Sequence, residues 1–185
     1  GMLKKKFKNL KLILKDHSNL YGVKPNYIFN KLHESTLNKK YNIINSEMLN
    51  DVLIISKNLN LDEIKNIYSI TDCYVSPYLA EGFNLTPLEA AACGTKILVT
   101  KGGSTDDYFD NCMGFQIESE EKKIHNLYQL NPKLDSLVNL LEREIKNKSG
   151  TSRKNRAKFV HNNFSWKKIA EKLFNEFEKK LAKKT

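Results

Sequence analysis

The sequence is short of arginine, cysteine and long apolar runs, and each shortage closes off a class of protein. Only Arg143, Arg153 and Arg156 carry a guanidinium, although Lys and Arg together number 31 against 21 acidic residues, for a net charge of +10. Proteins that read guanines or grip phosphates in nucleic acid favour the arginine fork. The excess here is lysine, gathered at the two ends in LKKKFKNLK and EKKLAKKT. It reads as a solvated surface, with attraction to anionic lipid or to a phosphorylated ligand as the alternative. Cysteine is limited to Cys73, Cys93 and Cys112, an odd number without metal-ligand spacing. Cys73 and Cys93 fall inside apolar stretches, so reduced, buried thiols in a cytoplasmic protein are expected. No apolar run approaches the ~20 residues of a membrane span, and LKLIL is too short for the core of a signal peptide. Peripheral contact with the inner face of a membrane stays open. No Ser-His-Asp order, zinc spacing or phosphate-binding Walker loop is present. His17 stands in a loop without an evident partner, and His33, His125 and His161 are scattered.

What is there is globular: 40% hydrophobic and 10% aromatic residues over 185 positions, enough for one ordinary domain with a core. Short branched runs recur: LKLILK (10–15), DVLII (51–55), CYVSP (73–77), KILVT (96–100) and GFQIE (114–118). Most are continuous rather than alternating, the pattern of strands buried on both faces. Between them lie helical stripes in NYIFNKLHEST and LDEIKNIYSI, and the chain closes with helices near 133–147, 151–162 and from Trp166. The alternation predicts an α/β fold, an open and mostly parallel sheet with helices on both faces. Residues 118–131 read as an irregular insertion, and the stripe Trp166, Ile169, Ala170, Leu173, Phe174, Phe177 and Leu181 reads as core. Ligands of such sheets bind beyond the carboxyl ends of the strands, which draws attention to the loops after Lys15, Ile55, Pro77 and Thr100.

One of those loops opens AEGFNLTPLEAAACG, where Glu81 and Glu89 stand eight positions apart. Thr86, Pro87 and Glu89 suit the N-cap, first and third positions of a helix. That capping box alone accounts for Glu89, at about 1 kcal/mol of helix stability. The residues before it point further. Gly82 permits close backbone approach. Asn84 and Leu85 place N–H groups at the positive end of the helix, a natural anion site. Carboxylates on either side of a bound phosphate accept hydrogen bonds from hydroxyl groups.

The stretch SPYLAEGFNLTPLEAAACGTKILVTKGG is similar to the signature of the retaining GT-B glycosyltransferases. Glu81, Gly82, Phe83, Leu85, Leu88, Glu89, Ala90, Gly94, Gly102 and Gly103 coincide with that pattern in register. The likeness covers residues 10 to 118, and FSWKKIAEKLFNEF resembles the family's last helix. It implies half of a GT-B fold, Rossmann-like, as a single nucleotide-sugar-binding domain over 1–185, with a core at 10–118 and a helical part at 132–185. It implies the following roles. Glu81 is the catalytic residue, beside the donor sugar and the reacting centre. Glu89 holds the ribose. Phe83, Asn84, Leu85 and Thr86 face the diphosphate through backbone, together with Gly82. Ser56, Lys57 and Asn58 edge the base. The expected substrate is a nucleotide diphosphate sugar, with neither metal nor cofactor, in cell-envelope or capsule polysaccharide synthesis.

The chain departs from the pattern in two ways. The strand that carries the family's Arg and Lys grip has no counterpart, and Lys15 is the local substitute, with Lys101 a weaker one. There is also room only for the C-terminal, donor-binding half, so an N-terminal acceptor domain is an expected partner, in cis or in trans. Transfer by this chain alone is expected to be weak or absent. Two other functions compete: a catalytically silent nucleotide-sugar-binding module, and a basic nucleic-acid-binding domain, against which the arginine shortage counts. An epimerase on the same fold is a weaker third. Asp106 and Asp107 read as helix-start acids near the ligand edge.

Overall fold

A computed structural model describes residues 1–16, 22, 25–41, 46–125, 127–147 and 151–182. His17 lies outside them. The chain divides into two compact units, Gly1–Asn60 and Leu61–Thr185.

In the first unit, β1 (Leu12–Lys15) and β2 (Val52–Ile55) pair in parallel, from Leu12 opposite Val52 to Lys15 opposite Ile55. Four helices among the described residues accompany them: α1 (Met2–Lys6), α2 (Pro25–Glu34), α3 (Thr36–Tyr41) and α4 (Ser46–Leu49). The single helix expected from NYIFNKLHEST breaks at Ser35. Its hydroxyl donates to the Leu32 carbonyl at 2.6 Å and accepts from the Asn38 N–H at 3.2 Å. One side chain therefore closes α2 and caps α3, a competition with the helix backbone that serine commonly wins at termini.

The second unit holds the main core. Strands β3 (Cys73–Ser76), β4 (Lys96–Thr100) and β5 (Gly114–Ile117) form a parallel sheet in that order. Each lies within two residues of its sequence-based bounds. Central β4 is buried along its whole length, which explains its unbroken apolar run. Alternation sends its side chains to two faces. Ile97 and Val99 join Ala90 and Ala91 of α6 (Leu85–Ala92) and Val160 of α8 (Arg153–Phe164) in one cluster. On the other face Lys96 ion-pairs with Glu144 of α7 (Leu134–Asn147). Lys96 and Arg143 also stand 5.5 and 3.9 Å from the centre of the Phe115 ring. Where β4 and β5 pair, a Cβ on Gly114 would lie 1.8 Å from the Ile97 carbonyl oxygen, so only glycine fits there. Helix α5 (Leu61–Ile70) precedes β3, and α9 (Trp166–Ala182) ends the described chain.

Two expectations are corrected here. Residues 118–131 are not irregular: β6 (Ser119–Ile124) and β7 (Leu127–Pro132) form an antiparallel hairpin. Nor is the stripe of α9 core. Trp166 is 89% exposed, and no residue of the helix, the whole stripe included, is buried.

Candidate functional site

The candidate site grows from the loop between β3 and α6, at the carboxyl edge of the sheet. Tyr78 anchors that loop from below. Its buried hydroxyl donates to the Thr100 carbonyl (3.1 Å) and accepts from the Thr105 N–H (3.2 Å), while Thr100 Oγ1 donates to the Tyr78 carbonyl (2.9 Å). Above this anchor the loop turns through Glu81, Gly82 and Phe83, all exposed. A Cβ on Gly82 would meet nothing within 4 Å, so the space over the backbone is open. Phe83 leans on Tyr108 with ring centroids 5.2 Å apart.

The helix start differs from the expected capping box. Asn84, not Thr86, is the N-cap, in the left-handed conformation (φ 60°, ψ 68°), and no side chain caps the helix. Thr86 and Pro87 fall at the second and third helical positions, and Glu89 falls at the fifth, too far along to reach back to the cap. The reason is a competing network. The Asn84 side-chain amide donates to Ser76 Oγ (2.9 Å), and its carbonyl oxygen accepts from Thr86 Oγ1 (3.2 Å). Thr86 Oγ1 accepts in turn from the Tyr74 hydroxyl (2.9 Å), and the Tyr108 hydroxyl donates to the Asn84 backbone carbonyl (2.7 Å). With its capping groups drawn below, the tip of α6 keeps its positive end unshielded by side chains. The structural account of Glu89 as a capping acid is thereby removed.

Electrostatics tie the two glutamates to one centre. Burial raises the Tyr74 phenol above its ordinary pKa, and the charges of Glu89 and Glu81 both add to that rise against the Thr86 hydrogen bond. Burial likewise raises Tyr108, aided by Tyr78, Tyr74 and Glu81, and raises Tyr68, aided by Tyr74 and Glu89. All three phenols stay protonated at neutral pH. Glu81 and Glu89 are exposed, and neither forms a salt bridge among the described residues.

The turn after β4 completes the edge. Gly102 has φ +90°, and its N–H donates to Asp106 Oδ2 at 2.9 Å. Asp106 Oδ1 accepts from Gln116 Nε2 at 2.6 Å, so this acid fixes the turn from within. Asp107 is exposed. A Cβ on Gly103 would fall 2.7 Å from the Tyr78 hydroxyl and 2.8 Å from Leu130 Cδ1, which leaves room for glycine alone. Two of the expected lysines, Lys15 and Lys57, belong to the first unit. There Lys15 Nζ donates to the Asp16 carbonyl (2.6 Å), Ser56 Oγ donates to Asp16 Oδ2 (2.9 Å), and Lys57 is exposed. Lys101 of the second unit pairs with Glu118 at 3.0 Å.

Sequence reasoning missed the tyrosines. Tyr74, Tyr78 and Tyr108 position the loop, yet nothing in their spacing marks them. It also left the arginines unplaced. Arg156, 3% exposed, donates to the carbonyls of Gly94, Thr151 and Cys112. Arg153 donates to those of Thr71, Ser69 and Tyr68. With Arg143 over Phe115, every guanidinium is spent on internal packing.

A parallel sheet bearing loop acids and an open helix tip at its carboxyl edge is the architecture of half a GT-B glycosyltransferase. It aligns with a glycosyltransferase from Rickettsia africae at TM-score 0.65 and 18% identity, over 97% of this chain and 42% of that one. It aligns with sucrose-phosphate synthase from Thermosynechococcus elongatus at TM-score 0.62 and 20% identity, over 93% and 39% of the two chains. The C-terminal domain of a group 1 glycosyl transferase from Francisella tularensis aligns at 0.51 and 21%, over 87% and 69%. The family model for group 1 glycosyl transferases matches residues 1–166, and the chain belongs to that family. D-inositol 3-phosphate glycosyltransferase of Arthrobacter sp. (strain FB24) is 30% identical over 80 residues, 43% of this chain and 19% of that protein. The chain thus spans less than half the length of that relative and of the two larger solved enzymes. No helix among the described residues is long and apolar enough to cross a membrane.

Proposed function

We propose that this chain is the donor-binding half of a retaining glycosyltransferase, which moves a hexosyl group from a nucleotide diphosphate sugar to an acceptor hydroxyl. The observation that carries the reading is the uncapped tip of α6, preceded in the loop by Glu81 and followed along the helix by Glu89, both exposed. The tip suits a diphosphate, Glu89 a ribose diol and Glu81 the hydroxyls of the sugar. As the glycosidic bond breaks, negative charge grows on the leaving diphosphate. A fixed helix end aimed at that charge stabilises it without reorganisation and without a metal. In a front-face displacement, the leaving phosphate oxygen takes the proton of the incoming hydroxyl, and the anomeric configuration is kept.

A thermal-shift panel of UDP, GDP, ADP and their sugar conjugates tests this reading. A matching ligand at 100 times its dissociation constant adds about 2.7 kcal/mol of stability, and chelator leaves the shift unchanged. Glu89→Gln weakens binding while the unliganded protein melts almost as before, since the side chain caps nothing and the glutamine carbonyl can still accept from the Tyr68 hydroxyl. A variant that melts early yet binds as wild type restores the plain structural role. Because the chain spans only part of its relatives, binding without turnover is expected until the other half is supplied. Failure of transfer with that half present favours the silent binding module.

A further inference from the structure

Beyond Glu81 lies a cavity of about 200 Å³, lined on one side by Tyr78–Glu81, on a second by Gly102–Ser104 and on a third by Glu121, Tyr128, Gln129 and Leu130 of the hairpin. The hairpin is fastened there. The Leu130 N–H donates to the Leu79 carbonyl at 2.7 Å, and Ser119 Oγ donates to the Lys101 carbonyl at 2.6 Å. Leu130 is buried, whereas Tyr128 is 65% exposed. The volume is below the ~300 Å³ at which pockets for larger ligands begin, so it suits one sugar ring and not a whole nucleotide sugar. Its chemistry is also that of a sugar site. Tyr128 offers an aromatic face to ring C–H groups. Gln129, Glu81 and Glu121 offer acceptors to hydroxyls. Ser104 Oγ, in the same wall, is buried with no hydrogen-bond partner among the described residues. The lining itself holds two carboxylates and neither lysine nor arginine, while Lys123 Nζ at its margin stands 5.6 Å from the centre of the Tyr128 ring and covers one side of it.

We propose that the β6–β7 hairpin is the selectivity wall of the glycosyl subsite, admitting an uncharged hexose and rejecting a sugar that bears a carboxylate. The inference rests on the donor-site reading of Glu81 and adds a class of sugar to it. Tyr128 supplies the packing face, Glu121 the charge that repels an acidic sugar, and Gln129 a neutral hydrogen-bonding partner.

The test uses the full chain and isothermal titration with UDP, GDP, ADP, UDP-glucose, GDP-mannose, ADP-glucose, UDP-glucuronic acid and GDP-mannuronic acid. Wild type is expected to bind the neutral conjugate of its preferred base about tenfold more tightly than the uronate. Glu121→Gln should shrink that gap to about threefold. Tyr128→Ala should weaken the neutral conjugate about tenfold, with the bare diphosphate unchanged, and Tyr128→Phe should restore it. The diphosphate affinity doubles as the check that each variant is folded. Should both variants keep the wild-type ratios while the bare diphosphate binds, the hairpin inference falls and the donor site stands. Should wild type bind no nucleoside diphosphate, both fall.

Discussion

Asn84 shows how one residue decides what the site becomes. Its left-handed backbone would cost an ordinary side chain about 1–2 kcal/mol, and its amide spends itself on Ser76 and Thr86 below the loop and not on the helix end. Asn84→Ala is therefore expected to lower stability by about 2 kcal/mol in urea titrations, and Asn84→Gly by about half of that, since glycine keeps the turn. The thiols are the other residue-scale case. Burial, with the nearby charge of Glu144, pushes Cys73 up to about 12, and burial with Asp110 pushes Cys112 up to about 11. Cys93 is raised by burial as well. A raised thiol pKa withholds the thiolate until the pH climbs past it. At pH 9 the folded protein should alkylate at a small fraction of the rate seen in urea, with Cys73 slowest. Rapid labelling of Cys73 at that pH would contradict this burial. All three thiols are only half-buried, short of the burial read from the apolar context.

At the scale of elements, legibility followed periodicity. β4 and α5 were readable because KILVT is uniformly apolar and LDEIKNIYSI keeps one stripe. The hairpin was not, because SEEKKI carries charge at almost every position and its pairing depends on Leu130 reaching the buried side of the loop. The capping box had the right letters in the wrong register, because Thr86 answers to Tyr74, a partner distant from the helix start. Periodicity found the apolar stripe of α9 but could not say what covers it. Removal of residues 166–185 should leave the melting temperature within a few degrees, since no residue of α9 is buried, and should lower binding of the dye ANS. A large loss of stability would mean the helix is integral to the second unit.

For the whole molecule, charge and length set the terms. The +10 balance is carried by lysines around a core that has already claimed every arginine. Oligonucleotides should bind weakly, without base preference, and be released between 50 and 200 mM salt. Tight binding that survives that salt would favour the nucleic-acid reading. Half of the GT-B fold was legible from one run of residues, AEGFNLTPLEAAACG, since a loop and a helix start lie there in sequence just after the end of β3. Tyr108 of the tyrosine floor and the hairpin wall come from distant segments, and no local pattern announces them or marks Tyr74 and Tyr78 as their partners.

The junction of Gly103, Tyr78 and Leu130 has a practical outcome for anyone exchanging parts among these transferases. With no slack at that contact, and the hairpin backbone bonded to Leu79, the wall and the glutamate loop behave as one rigid piece. On the proposed donor-site reading, sugar preference should transplant only as a cassette of residues 77–84, 101–106 and 119–132. Grafting the hairpin alone onto another scaffold would drag the recipient's loop out of line.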